Sequence, residues 1–451
     1  MYNNSIVFFS HDLTNRVVYV AELVFQDLLG LSIVFTQNEN DYLNSTLPKL
    51  MYGEHSLERI FRHHALRDSN FNEKPLKHLF FKQNQTILFE HGLSNKHVDA
   101  DFSFLLHASP FDFDVLATIF LLVSRYEEYV VDPSHLDHHN RFSAKISIAQ
   151  KYDFLQKPLV NQWVIAINER LKDLFLELKT TLPTYHFQPS FDIDMPWKYK
   201  NKGLLRTLGG FAKDMMHLNI GELKNRANIL RGVKNDPDYT FDYIFECHRQ
   251  HNLQPIFFFL LGDHSKFDKN PDVQNKAFQA LIGFISSNYK VGLHPSYQSN
   301  MHMSILKKEK ERFENLTSTP LSMSRQHFLK LRFPETYHNL LSIGVKQDYS
   351  MGYADDIGFR ASIATPFRWF DLSKNEGTDL WIHPFQVMDV TLRDYLKWTP
   401  EEAVDCVISL MKETKSVGGT FMTLWHNTSF SETAGWEQWR EVYKKIALNN
   451  V

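Results

Sequence analysis

An α/β fold organised around a parallel sheet is predicted for most of this 451-residue chain. Two observations predict it. From residue 187 onward, short apolar runs alternate with amphipathic stretches of helical spacing, the pattern of strands joined by crossover helices. Several of those runs also end in residues that carry chemistry, among them Asp192, Asp194, His294 and His426. In parallel α/β folds functional groups gather at the carboxyl ends of the strands, so the two observations support each other. The sheet is open or closed into a barrel, and a smaller mixed α/β domain precedes it.

Taken in order, residues 5–9, 31–35 and 102–106 read as strands. Residues 113–129, apolar and ending in Arg125-Tyr126-Glu127-Glu128, read as a buried helix. A second helix carries Val164, Ile167, Leu171, Leu174, Phe175 and Leu178 on one face, and Thr181-Leu182-Pro183-Thr184 breaks it. That break sets a boundary, with a mixed α/β domain over 1–185 and a second domain over 186–451. In the second, strands are expected over 187–193, 256–261, 290–293, 322–328, 345–350, 380–388 and 420–425. Helices are expected over 240–250, 276–287, 335–342, 399–415 and 436–447. His383-Pro384 ends or bends its strand, and no repeat or low-complexity tract is visible.

Composition excludes several classes. Hydrophobic residues make up 43% and charged residues 22%, the balance of a folded globular chain. The formal net charge of -3 gives no reason to expect nucleic acid or an anionic membrane as partner. Cys247 and Cys406 stand alone and far apart, so neither a disulfide framework nor a cysteine zinc site can be read from the sequence, and two buried thiols are expected. The apolar run Ile6-Val7-Phe8-Phe9 is too short for a leader or a membrane span, so a cytoplasmic location is expected. No feature specifies an oligomeric state.

The most informative segment is Ser190-Phe191-Asp192-Ile193-Asp194. Side chains alternate along a strand, so the two carboxylates project to one face and repel unless a cation or a proton lies between them. A strand end capped by two solvated aspartates is the bland alternative. Against it stand the other strand ends: His294 in Val291-Gly292-Leu293-His294-Pro295-Ser296, Arg325 and His327 on the fourth strand, Asp348 on the fifth and Trp425-His426-Asn427 on the last. The chain has 22 histidines, and any single one is more often structural than functional, but several polar groups converging on one rim are not. A glycosidase acid–base pair fits poorly, because carboxylates two residues apart lie too close for the inverting geometry.

These segments resemble the NodB-like polysaccharide deacetylases of carbohydrate esterase family 4 over about residues 187–430. The resemblance implies a distorted seven-stranded (β/α) barrel that removes N- or O-acetyl groups from a polysaccharide or glycan with a divalent metal, commonly zinc. It implies roles as well. Asp192 would be the general base, Asp194 and His294 metal ligands, Arg325 the partner that orients the base, and His426 the general acid with Asp348 orienting its ring. Residues 1–185 resemble an uncharacterised domain found ahead of divergent members.

One departure stands out. The family's second motif has another His four residues after the first, and here that position is Gln298, a weaker zinc donor than imidazole. His327 is expected to take its place, with His302 behind it. If nothing does, the fold would serve as an inactive carbohydrate-binding or scaffold protein. The segment from Gly352 to Arg360 reads as a substrate loop in which Asp355 and Arg360 bind sugar hydroxyls, or as a plain Asp- and Gly-rich turn. Trp425 and Trp436 either stack on a sugar ring or are buried.

Overall fold

The computed structural model describes residues 4–52, 78–82, 86–90 and 115–449. The strand expected over 102–106 lies outside them. Near the N-terminus β1 (Ser5–Phe9), β2 (Ser32–Thr36) and β3 (Lys49–Met51) form a parallel sheet in the order β2-β1-β3, and β4 (His78–Lys82) pairs antiparallel with β5 (Thr86–Glu90). The helix expected over 113–129 is seen as Val115–Val123 and Tyr126–Tyr129, interrupted at Arg125, which has a φ of 55°.

The second half carries β6 (His186–Ile193), β7 (Ile256–Leu260), β8 (Lys290–His294), β9 (Met323–Ser324), β10 (Gln347–Asp348), β11 (Phe367–Asp371), β12 (Glu376–Ile382), β13 (Val387–Met388) and β14 (Thr420–His426). They form one nine-stranded sheet in the order β11-β12-β10-β9-β8-β7-β6-β14-β13. Every ladder is parallel except β11–β12. Nine strands stand where seven were expected because β11 was missed and the stretch over 380–388 is two strands parted by His383-Pro384. The expected fourth strand, 322–328, keeps only Met323 and Ser324, and His327–Leu329 is a tight turn in which Phe328 and Leu329 have φ of 60° and 55°.

The central strands read as they fold. β7 is Ile-Phe-Phe-Phe-Leu, buried throughout, as a strand covered on both faces must be. At β8 an added Cβ on Gly292 would come within 2.6 Å of the Phe258 ring and 2.8 Å of the Met323 carbonyl, so only glycine lets the flanking strands close on it. The helix Pro400–Ser416 begins with proline at its first turn and a capping box between Thr399 and Glu402, which fixes its start where the sequence placed it.

The main apolar core spans both halves, from Ile6, Val20 and Phe120 to Phe257, Phe370 and Trp425. Tyr19 and Phe120 pack on Phe370 with ring centroids 5.0 Å away in each case. Cys247 is buried as expected, and Cys406 is half-buried.

Candidate metal and catalytic site

The carboxyl ends of β6, β8 and β14 and the turn after β9 meet at Asp194. Three imidazoles surround it. His294 Nε2 lies 3.4 Å from Asp194 Oδ1, His327 Nε2 lies 3.5 Å from Oδ2, and His426 Nε2 lies 3.8 Å from Oδ2. Each imidazole is held through its other nitrogen by an acceptor. His294 Nδ1 meets the Arg325 carbonyl at 2.5 Å, His327 Nδ1 meets Asp268 Oδ1 at 2.9 Å, and His426 Nδ1 meets Asp389 Oδ1 at 2.9 Å. In a neutral His294 or His327, an Nδ1–H donated outward leaves an Nε2 lone pair facing Asp194, the arrangement in which histidines ligate metals.

Asp194, His294 and His327 therefore make a possible three-residue metal site, their donor atoms all within 4.8 Å of one another. The fit is supported by a further observation. Among the described residues the buried Asp194 Oδ1 has no hydrogen-bond partner, a costly state for a carboxylate oxygen that a cation would relieve. Two imidazoles and a carboxylate are a donor set that suits zinc.

Asp192 stands beside this cluster. Its Oδ2 is 3.6 Å from His294 Nε2, and its Oδ1 accepts a 3.0 Å bond from Arg325 Nη1. Arg325 is fully buried and over-determined. Its Nη2 donates to Ser190 Oγ at 2.8 Å and its Nε to the Tyr349 carbonyl at 2.9 Å, and its guanidinium lies 4.5 Å over the Phe258 ring. The guanidinium is thereby fixed, and so is the carboxylate it grips.

Electrostatics follow from this packing. Burial would raise the Asp194 carboxyl, but the imidazoles of His327, His294 and His426 hold it far below the usual range. Burial lowers His294, and Asp192 and Asp194 only partly offset that. For His327 and His426 burial also opposes the charged form, yet the carboxylates win. Asp194 and Asp268 push His327 up to about 9, and Asp389 with Asp194 pushes His426 up to about 10.

The site departs from the sequence reading in several places. His327 arrives from a tight turn, not from a strand. Gln298 and His302 are exposed, Gln298 in the turn that its carbonyl closes onto Met301 N and His302 at the start of the helix Met303–Thr317, and neither joins the cluster. Asp348 does not orient His426. Its carboxylate accepts Ser350 N and Oγ, each at 2.9 Å, and Ser350 Oγ in turn accepts Gln326 N, so Asp348 shapes the backbone beside Arg325. Burial raises its carboxyl to about 6. The residue that does hold His426 is Asp389, fully buried, which accepts its backbone N at 2.6 Å as well as its ring and also accepts Ser429 Oγ. Asp389 was missed although it follows directly on the expected strand 380–388, the same strand-end signal that marked Asp194 and His294. Asp268, in the loop after β7, carried no comparable signal.

The three expected substrate contacts are structural. Arg360 is 2% exposed and gives a bidentate grip on Glu128, Nε to Oε1 at 2.9 Å and Nη2 to Oε2 at 2.5 Å, with Nη1 on the Gly352 carbonyl. Asp355 clasps Ser143 Oγ and Ala144 N. Trp425 is fully buried with its ring 5.1 Å from Tyr443, and Trp436 is buried under Arg393. The Arg360–Glu128 pair joins the two halves of the chain, and breaking a buried pair from one side leaves an uncompensated charge. Arg360→Met is expected to lower stability by about 3 kcal/mol in urea unfolding. A variant as stable as the wild type would contradict the buried pairing.

In comparison with known proteins, residues 6–176 match the model of a family of unknown function, DUF7033. No curated protein matches the chain. Among solved structures the chain is similar to a Mycobacterium smegmatis protein described as a "putative polysaccharide deacetylase", at 15% identity and a TM-score of 0.39 over 59% of this chain and 84% of that one. It is also similar to a CE4 family pseudoenzyme from Bacillus anthracis, at 14% identity and a TM-score of 0.27 over 47% of this chain and 57% of that one. A mutant of that pseudoenzyme with restored enzymatic activity aligns at 12% identity and a TM-score of 0.30, over 58% of this chain and 62% of that one. These relations are distant.

Proposed function

We propose that this chain is a metal-dependent hydrolase that removes acetyl groups from an N- or O-acetylated polysaccharide or glycan. The observation that carries the reading is the convergence of three Nε2 atoms on Asp194 beside an Asp192 gripped by Arg325. The resemblance of the segments around Asp192, His294 and His426 to the NodB-like deacetylases supports the substrate class. Within this reading, residues 186–451 form the catalytic domain, whose central strands correspond to the distorted seven-stranded barrel of that family, and residues 1–185 form a domain docked on it.

Asp194, His294 and His327 would hold a divalent ion, with zinc the best match to two imidazoles and one carboxylate. A bound ion supplies Lewis-acid polarisation of the acetyl carbonyl and of a water molecule. The protein's own groups do the rest. Asp192 takes the water's proton on Oδ2, the oxygen not engaged by Arg325, which keeps the carboxylate from rotating away. His426 gives a proton from Nε2 to the departing nitrogen or oxygen, while Asp389 fixes the ring through Nδ1. His327 in the ligand position is what favours a working enzyme over an inactive binding protein, since the doubt arose from Gln298.

Acetate release from N-acetylated and O-acetylated glycan oligomers tests the reading. Activity is expected to vanish on chelation and to return with zinc. Activity that is absent from the zinc-loaded protein across both substrate types, or that is indifferent to chelation, would overturn it.

A further inference from the structure

The segment between β6 and the helix Phe241–Gln250 has no part in the chemistry above and is unlike the rest of the surface. It folds as two helices, Leu204–Met216 and Ile220–Leu230, tied together as a hairpin. Arg226 Nε bonds Asp214 at 2.7 Å, and its guanidinium lies on the Tyr199 and Phe211 rings and fills the space over Gly210, where a Cβ would meet it at 2.5 Å. The two ends of the hairpin are pinned by Asp236, whose carboxylate accepts the backbone N–H groups of Lys198, Tyr199 and Lys200. Its base is stapled to the site: Asn427 Nδ2, beside His426, donates to the carbonyls of both Met195 and Asp238.

The first helix buries no residue at all. Leu204, Leu205, Leu208, Met215 and Met216 fall on one arc of it at helical spacing and are 55% to 86% exposed. The linker and the second helix continue the patch with Leu218 at 83% and Ile220 at 75%. So large an exposed apolar stripe calls for a partner. Charge identifies its chemistry. Residues 198–236 hold nine Lys and Arg against three Asp and Glu, a formal +6 within a chain whose total is -3. Lys200, Lys213, Lys224 and Arg231 have no ion pair among the described residues. The whole-chain charge, which gave no reason to expect an anionic membrane as partner, averages this asymmetry away.

We propose that the hairpin over 204–230 docks on the surface of a lipid bilayer carrying anionic headgroups and thereby brings the stapled Asp194 cluster close to that surface. An interfacial helix needs both features seen here, an apolar stripe to enter the acyl boundary and flanking cations to meet the headgroups. A second copy of the chain is disfavoured, because the net positive segments of the two copies would repel. Nucleic acid would use the cations and leave the leucines in water. The association is peripheral: among the described residues no helix is long and apolar enough to cross a membrane.

The test is co-sedimentation of the full chain with vesicles of phosphatidylcholine alone and of phosphatidylcholine mixed with phosphatidylglycerol. Binding is expected only to the mixed vesicles and should weaken as salt rises. Each basic residue strengthens such binding by about fivefold, so K200Q, K213Q, K224Q and R231Q together should weaken it by at least about a hundredfold. L204S, L205S and L208S together should abolish it. Both sets lie outside the core, so thermal unfolding should match the wild type. Failure of the wild type to bind mixed vesicles, equal binding to both vesicle types, or binding that survives both sets would overturn the proposal. So would a concentration-dependent dimer dissolved by the leucine substitutions without any vesicle binding, which would assign the stripe to a second copy.

Discussion

Replacing Asp192 with asparagine is expected to cut acetate release by about 10²- to 10⁴-fold, the contribution of a positioned general base, while metal content stays at the wild-type level. The substitution keeps an oxygen for Arg325 Nη1 at the 3.0 Å contact and removes only the proton acceptor. Loss in kcat with little change in KM would mark a group that acts in the transition state rather than in binding. Because Arg325 is fully buried against this carboxylate, the variant's unfolding midpoint must be measured alongside. Full activity in a folded Asp192→Asn protein would place the base elsewhere.

The second large effect separates His327 from Gln298. His327→Ala is expected to strip the metal, weakening zinc affinity by more than the roughly 10- to 100-fold that loss of an outer-shell partner costs. Gln298→His should leave affinity unchanged, because that side chain points to solvent from an exposed turn. Zinc affinity of the two variants, measured by competition with a chromophoric chelator, decides. Tighter binding in Gln298→His, or unchanged binding in His327→Ala, would mean that His327 does not face the ion. Asp268 supplies a graded control, since it touches His327, the proposed ligand, through the far ring nitrogen: Asp268→Asn should fall between the two.

Strand ends carried most of what could be read about this site from sequence. A strand projects alternate side chains to one face, so Asp192 and Asp194 were bound to share a side, and the alternation of elements was bound to bring the ends of β6, β8 and β14 to one rim. Asp389 was legible by the same rule and was overlooked. Asp268 and the hairpin's exposed stripe were not legible in the same way, since one sits in an irregular loop and the other differs from an ordinary amphipathic helix only in staying exposed among the described residues.

Local physics along the chain therefore determined the strands that run uninterrupted, the capped helix Pro400–Ser416 and the identity of Asp192, Asp194, His294, Arg325 and His426 as candidates. Only the tertiary structure decided which groups meet. His327 reaches Asp194 because β9 ends at Ser324 and the chain then turns over His327–Leu329, where Phe328 and Leu329 take left-handed backbone conformations. That turn is held by contacts from far along the chain: Phe328 packs among His139, Phe267 and Tyr297, and Arg141 donates to its carbonyl. Arg360 was lost to the substrate for a related reason, captured by Glu128 from 232 positions away. Left-handed conformations at non-glycine residues and buried ion pairs are costly in isolation, so no local pattern announces them, and they persist where the rest of the fold compels them.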